Sequence, residues 1–292
     1  MRTAASGWAA GSRVETGGWA AGSRVETGGW RIKSCVEPVM GTVASFAVHA
    51  RELPDDQIQV MLAPSRAFLH HADQIFSTWN PDTPLSRLRR GEISMSEVPD
   101  EVIEVLDLCR MAKEMSDGWF DPWAMPGGVD PTGLVKGWAI DNALDLMRHP
   151  GIGGAMLNVG GDLATFGTPA PDRYWRIGIR DPWDPTRLRC VIQTGDAVAT
   201  SGTYERGPIL VDPHSGLAHS RAASATVVGP SLALADALAT ALTVAGTAGI
   251  GWFAHIDGYE AYLIHHDGTE TATSGIRPAG PGWISSVEVS SR

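Results

Sequence analysis

The sequence is short of lysine and of basic charge. Its 292 residues include only three lysines, Lys33, Lys113 and Lys136, against twenty arginines, and the formal net charge is -10 at a sequence pI near 5.3. Binding to nucleic acid or to an anionic membrane needs a basic surface, so this balance argues against both kinds of partner. An anionic ligand must therefore be met locally, by a cation or by backbone amides.

Cysteine and long apolar runs are also scarce. Cys35, Cys109 and Cys190 are widely separated, odd in number and outside any CxxC spacing, which predicts neither a disulfide framework nor a zinc site. No apolar run approaches the length of a membrane span, and the N-terminus lacks the apolar region and cleavage pattern of a signal peptide. We therefore expect a cytoplasmic protein, provided that Met1 is the true start.

The first thirty residues form a separate segment. The unit GWAAGSRVETG occupies residues 7–17 and recurs at 18–28. It is too short for a solenoid repeat, and its Gly, Ser and Ala content cannot bury a core. We predict a flexible tail over residues 1–30 and one domain over 31–292. A docking segment that uses Trp8 and Trp19 is the alternative.

The remaining sequence mixes helical and strand patterns. Residues 42–50 alternate as a half-buried strand, residues 55–73 and 100–116 have helical periodicity, and a Gly- and Pro-rich passage at 117–137 precedes a helix through AIDNALDLMRH. The second half is richer in strands, with the candidates AMLNV, WRIGI, RCVIQ, AVAT, ILV, ATVV and AYLIH. Without regular alternation of strand and helix, this mixture predicts an α+β fold.

The segment SLALADALATAL, residues 231–242, predicts a buried helix that starts at the N-cap Ser231 and ends near Gly246. Asp236 and Thr240 are four residues apart and share one face of it. A buried carboxylate needs a hydrogen-bonding partner, a counter-charge or a cation. Two interpretations stay open. Either the helix dipole favours Asp236 while Thr240 bonds back to a helix carbonyl, or the two oxygens bind a cation.

Eight short motifs follow one another in an order typical of a known family. They are VMGT at 39–42, FSTWNPDTPLSRL at 76–88, SDGWFDP at 116–122, DPTGLVKGWAID at 130–141, NVGGDLATFG at 158–167, AVATSGTYER at 197–206, LVDPHSG at 210–216 and ADALATAL at 235–242. From Val39 to about Ala245 the chain thus resembles the ApbE-like FAD:protein FMN transferases. The resemblance implies that FAD binds in a cleft and that magnesium helps to cleave its pyrophosphate. FMN would pass to a Thr or Ser of an acceptor protein, with release of AMP.

The resemblance also implies roles for single residues. It makes Asp236 and Thr240 magnesium ligands, together with a backbone carbonyl from the loop before Lys136, and oxygen ligands are what magnesium prefers. Lys136 and Asp162 become candidate catalytic residues, and Trp79 stands where relatives carry an aromatic residue that packs on the isoalloxazine ring. The expected FAD contacts are Met40, Trp79, Asp121, Lys136, Asp141, Gly160, Gly161, Asp162, Thr200, Ser201 and Gly202.

Simpler interpretations of the same residues remain open. Gly160–Gly161 is also a common hairpin turn, Lys136 is also typical of a solvated surface lysine, and Trp79 is also typical of a core residue. Asp121 and Asp141 are also typical of structural carboxylates in a turn and a helix.

The segment RGPILVDPHSG departs from the family pattern. Relatives usually carry a His three residues before the Asp, taken as the base for the transfer, and this position is Ile209. The nearest histidines, His214 and His219, lie beyond the turn and do not match the motif. We therefore expect FAD binding with impaired transfer. The alternatives are hydrolysis of FAD to FMN and AMP, or a flavin-binding protein that transfers nothing.

Overall fold

The computed structural model describes residues 30–51, 54–203 and 210–276. The tail predicted for residues 1–30 lies outside this range apart from Trp30, and so does Ile209. The helices are α1 (Asp55–Phe76), α2 (Pro84–Arg89), α3 (Asp100–Met115), α4 (Thr132–Asp145) and α5 (Leu232–Ala245), with short 3₁₀ segments at Pro122–Ala124 and Gly246–Ala254.

Ten strands complete the described part of the fold. They are β1 (Trp30–Val39), β2 (Thr42–Arg51), β3 (Ile152–Val159), β4 (Asp162–Gly167), β5 (Trp175–Arg180), β6 (Leu188–Thr194), β7 (Ala197–Gly202), β8 (Ser224–Gly229), β9 (Glu260–Ile264) and β10 (Glu270–Ala272). Eight of them form an antiparallel sheet in the order β1-β2-β3-β4-β7-β8-β9-β10, while β5 and β6 pair as a separate hairpin. The predicted α+β fold is confirmed.

The main sheet buries a different core on each face. Along β4, Leu163 packs with the β5–β6 hairpin, and its neighbour Ala164 packs with the helices. Along β7, Val198 and Ala199 divide in the same way, as the period of two in a strand requires. The helices therefore cover one face of the sheet and the hairpin covers the other.

Helix α5 is the most apolar element and lies inside the helical layer. It continues into the second 3₁₀ segment, so that Leu232–Ala254 is a 23-residue helical stretch with a mean hydropathy of 1.5, long enough by length and composition to cross a membrane. The expectation that no run approaches that length is therefore wrong. Because 78% of its most apolar window is buried inside the domain, core packing accounts for this hydropathy.

Most predicted elements are present, and the exceptions have tertiary causes. The helix predicted through AIDNALDLMRH begins earlier, at Thr132, within the Gly- and Pro-rich passage that was expected to precede it. Gly137 is used there for close packing, because a methyl group at this position would come within 2.4 Å of the Leu232 carbonyl oxygen on α5. In the predicted strand ILV, Val211 forms only an isolated bridge with Ala218, and Ile209 is outside the described residues.

Candidate functional site

Two hairpin turns lie side by side at one end of the main sheet. Met40 and Gly41 link β1 to β2 with φ angles of 51° and 70°, and Gly160 and Gly161 link β3 to β4 with 61° and 106°. Positive φ at both central residues is the geometry that a two-residue hairpin favours. The hairpin interpretation of Gly160–Gly161 is therefore right. A methyl group on Gly160 would lie 3.4 Å from the Thr42 side chain, so the two turns are neighbours.

Asp162 joins three of the sequence motifs. It follows the Gly160–Gly161 turn, is 1% exposed, and forms an ion pair with Lys136 on α4. Its Oδ1 accepts a hydrogen bond from the Thr200 amide on β7 at 2.8 Å. The ion pair also rules out the interpretation of Lys136 as a solvated surface lysine, since its side chain is only 16% exposed. The two candidate catalytic residues thus lie in direct contact.

The neighbours of Thr200 continue this junction across β7 and β8. The Thr200 hydroxyl is 2.9 Å from that of Thr226, and the Ser201 carbonyl accepts a hydrogen bond from Thr243 on α5 at 3.2 Å. Gly202 pairs with Ser224 in the sheet. The TSG motif is therefore a strand end that is tied to α5 and to Asp162.

Thr240, one member of the predicted metal-binding pair, faces the start of α4. Asp236 is 3% exposed in the middle of α5, and Thr240 is half-buried one turn later. A methyl group on Gly133, in the first turn of α4, would lie 3.7 Å from Thr240 Oγ1 and 3.1 Å from the Phe120 ring. The DPTG motif and the ADALATAL motif, far apart in sequence, therefore meet at this point.

The backbone bond that one interpretation assigned to Thr240 is made by another residue. The Thr243 hydroxyl donates to the Ala239 carbonyl at 2.8 Å, whereas no hydrogen bond joins Thr240 Oγ1 to any residue in the described part of the chain. No three His, Cys, Asp or Glu side chains cluster among the described residues. A metal ion at Asp236 would therefore depend on hydroxyl and carbonyl oxygens, a donor set that fits magnesium.

Sequence reasoning missed an ion pair that links α2 to the start of α4. Arg89 Nη1 lies 2.5 Å from Asp130 Oδ2, and Asp130 Oδ1 accepts hydrogen bonds from the amide and hydroxyl of Thr132. Burial acts to raise the pKa of Asp130, but the bonds from Thr132 and Arg89 outweigh it and lower that pKa. The position of Asp130 in the DPTG motif, with Thr132 two residues on, was the available signal.

Trp79 lies in the loop between α1 and α2 and is 94% exposed. The interpretation of Trp79 as a core residue is therefore wrong. Its indole is therefore free to contact a ligand, although a single exposed aromatic side chain does not by itself indicate a binding surface. Its predicted stacking on a flavin ring stays a prediction.

Two further predicted cofactor contacts make hydrogen bonds within the protein. Asp121 accepts from the Trp123 amide at 3.0 Å and lies 2.7 Å from Lys113 Nζ. Asp141 Oδ2 accepts from the Ser231 hydroxyl and the Ala233 amide, each at 3.1 Å. Burial raises the pKa of Asp141 to about 6 against the lowering effect of these bonds. Contact of either carboxylate with a cofactor stays a prediction.

The two histidines considered as substitute bases, His214 and His219, are both exposed and follow Ile209 in the sequence. The His214 ring packs edge-on against Trp119 at 4.6 Å between ring centres, and its amide donates to Asp212 Oδ1 at 2.9 Å. The His219 amide donates to the Leu210 carbonyl at 2.9 Å.

Comparison with known proteins gives consistent matches. The model of the ApbE family matches residues 40–128 and 126–263. A FAD:protein FMN transferase of Vibrio cholerae serotype O1 is 35% identical over 129 residues, which are 40% of this chain and 39% of that protein. One of Rhodobacter capsulatus is 36% identical over 159 residues, 51% of this chain and 30% of that protein. The aligned part of the chain thus spans less than half of either relative.

Solved structures match over a larger share. The flavin transferase ApbE of Vibrio cholerae has a TM-score of 0.72 at 22% identity. The match covers 84% of this chain and 98% of the Vibrio cholerae chain. The apo form of the Pseudomonas stutzeri flavinyl transferase ApbE also has a TM-score of 0.72 at 22% identity, with 86% and 97% covered. At this identity the likeness establishes a shared fold.

Proposed function

The chain belongs to the ApbE family, and on this premise we propose that it binds FAD with magnesium and transfers FMN to a Thr or Ser side chain of an acceptor protein. AMP is the second product. The matched relatives are named FAD:protein FMN transferases, and the motifs that suggest this chemistry are spread over the same residues.

One contact carries the proposal. Gly133 in the first turn of α4 faces Thr240 on α5, one turn from the buried Asp236. The positive end of a helix dipole attracts phosphate. The Thr132, Leu134 and Val135 amides of α4 already donate to Asp130 and Pro131, so the attraction there rests on the dipole. A carboxylate and a hydroxyl beside it supply the oxygens that magnesium needs when it binds together with substrate phosphates. This arrangement offers a local site for a pyrophosphate in a chain whose net charge of -10 would otherwise repel it.

Asp236 and Thr240 would hold the metal ion, with a backbone carbonyl from the loop that precedes α4, the helix that carries Lys136. Bound magnesium would neutralise charge on the pyrophosphate of FAD. Lys136 would add a positive charge near the phosphates, and Asp162 holds the Lys136 ammonium and the Thr200 amide in place from its buried position. Trp79 would cover one face of the isoalloxazine ring.

The transfer joins the acceptor hydroxyl oxygen to the phosphorus of the FMN half. The bond from that phosphorus to the bridging oxygen breaks, and AMP leaves with the bridging oxygen. The hydroxyl proton must pass to a base. Isoleucine at position 209 accepts no proton, so we propose that binding is retained and that transfer is slow.

Incubation of the protein with FAD, magnesium and an acceptor peptide that contains a Thr tests the proposal. Mass spectrometry should detect slow gain of FMN by the peptide together with AMP. Free FMN plus AMP without modified peptide would identify a hydrolase instead, and intact bound FAD would identify a binding protein. Omission of magnesium is the control and should abolish the reaction.

A further inference from the structure

We propose that Asp141 is a positioning residue, which fixes α5 and thereby Asp236 and Thr240 against the first turn of α4. The inference rests on the proposed function, because it treats Asp236 and Thr240 as the metal-binding pair. It starts from the contacts that α4 makes with α5 at three successive turns.

Gly133, Gly137 and Asp141 are spaced by four residues and share one face of α4. Gly133 faces Thr240, and Gly137 lies against the Leu232 backbone so closely that a methyl group would be 2.4 Å from its carbonyl oxygen. Asp141 reaches the start of α5. The two helices therefore run antiparallel and approach each other at the start of α5 and again at Thr240.

The start of α5 is capped from the neighbouring helix. Ser231 occupies the predicted N-cap position, yet its side chain makes no capping bond, and its hydroxyl donates instead to Asp141 Oδ2 at 3.1 Å. The same oxygen accepts from the Ala233 amide at 3.1 Å, one of the amides that have no partner within a helix. A local N-cap stabilises only its own helix, whereas this carboxylate ties α5 to α4.

This cap determines where the metal-binding pair lies. A helix is stiff and rises about 1.5 Å per residue, so a rotation or a slide at Ala233 moves Asp236 and Thr240 by a similar amount. At Gly137 the backbones of the two helices touch, and this contact sets the distance between them. The Asp141 bonds limit how far α5 can turn or slide away. Magnesium tolerates little displacement of its ligands, because it requires near-octahedral geometry.

The surroundings of Asp141 provide a matched control. Asp145 lies one turn later on α4, is exposed, and pairs with Arg148 at 2.8 Å. It contributes negative charge near Asp141, but Asp141, and not Asp145, accepts the bonds from α5. Replacing Asp145 by Asn therefore changes charge on the same helix without removing the cap.

The test is a titration of FAD binding, followed by flavin fluorescence, at increasing concentrations of magnesium. In Asp141→Ala the magnesium concentration for half-maximal tightening should rise about 10-fold, the lower end of the loss that follows removal of groups that orient metal ligands. A parallel titration without magnesium measures any direct effect of Asp141 on FAD affinity, so that the comparison rests on the magnesium requirement alone. Asp141→Asn keeps one accepting oxygen and should restore part of the loss, and Asp145→Asn should match the parent.

The outcomes separate the inference from the function on which it rests. If the parent binds FAD with no response to magnesium, the proposed function fails and the inference fails with it. If the parent responds and Asp141→Ala requires no more magnesium than Asp145→Asn, the inference alone is overturned. If Asp141→Ala does not fold, Asp141→Asn and Ser231→Ala decide: a raised magnesium requirement supports the inference, and values equal to those of Asp145→Asn overturn it.

Discussion

Replacement of Trp79 by alanine should weaken FAD binding and leave the folded protein intact. Trp79 is 94% exposed, so its removal takes nothing out of the core. Surface substitutions of this kind usually change the free energy of unfolding by less than about 0.5 kcal/mol. Any loss of FAD affinity in the variant would therefore report on a contact with the ligand.

The size of the loss follows from the area that stacking would bury. A tryptophan side chain offers on the order of 200 Å² of surface, and covering one face of the ring removes about half of it from water. At about 25 cal/mol per Å² this is roughly 2.5 kcal/mol. Loss of a stack between a base and an aromatic side chain costs about 1 to 3 kcal/mol. A loss of about 2 kcal/mol corresponds to a roughly 30-fold higher Kd.

Flavin fluorescence measures both parts of this prediction. FAD bound by the parent should be strongly quenched by the indole, and Trp79→Ala should relieve much of the quenching and raise the Kd. Trp183→Ala is the matched control, because Trp183 is also exposed, at 52%, but lies between β5 and β6 on the other face of the sheet. Parent-like affinity and quenching in Trp79→Ala, or an equal loss in Trp183→Ala, would refute the stacking.

Four further predictions concern the metal, the missing base, the tail and the α5 cap. Asp236→Asn, nearly isosteric, should lose the tightening of FAD or AMP binding by magnesium while circular dichroism stays parent-like; an unfolded variant, or a normal response to magnesium, would make the carboxylate structural. Ile209→His should speed FMN transfer by about 10²- to 10⁴-fold, as measured by mass spectrometry of the acceptor peptide. The rate should change with pH around the His pKa of about 6.5. Robust transfer by the parent that His214→Ala abolishes would contradict this prediction. Deletion of residues 1–29 should leave the Tm and FAD affinity unchanged, and a large drop in either would show that the repeat packs on the domain. Burial raises the pKa of Asp141 from 3.8 to about 6, so the folded state holds this proton more tightly than the unfolded state. Chemical denaturation should therefore show that the parent loses stability relative to Asp141→Asn as the pH rises from about 4 to 6. Equal pH dependence of the free energy of unfolding in the two proteins would exclude this shift.

Local patterns in the sequence predicted much of the fold. The alternation in TVASFAVHA and the periodicity of residues 100–116 correspond to β2 and α3, because side-chain period is a property of the strand or helix itself. Strand β4 was missed, since its residues are almost all buried and show no alternation. The start of α4 was missed because Gly133 and Gly137 are poor helix formers, and at Gly137 close packing on α5 requires glycine.

The sequence by itself determined the family, through the order of short motifs along the chain. It also determined the i, i+4 spacing of Asp236 and Thr240 and the Gly160–Gly161 turn, since these depend on residues close together along the chain. Only the tertiary structure decided that Lys136 pairs with Asp162, that Thr240 faces Gly133, that Trp79 is exposed, and that Asp141 caps α5. These contacts join residues distant in sequence. They depend on how the helices pack on the sheet and on each other, which no local period or propensity encodes.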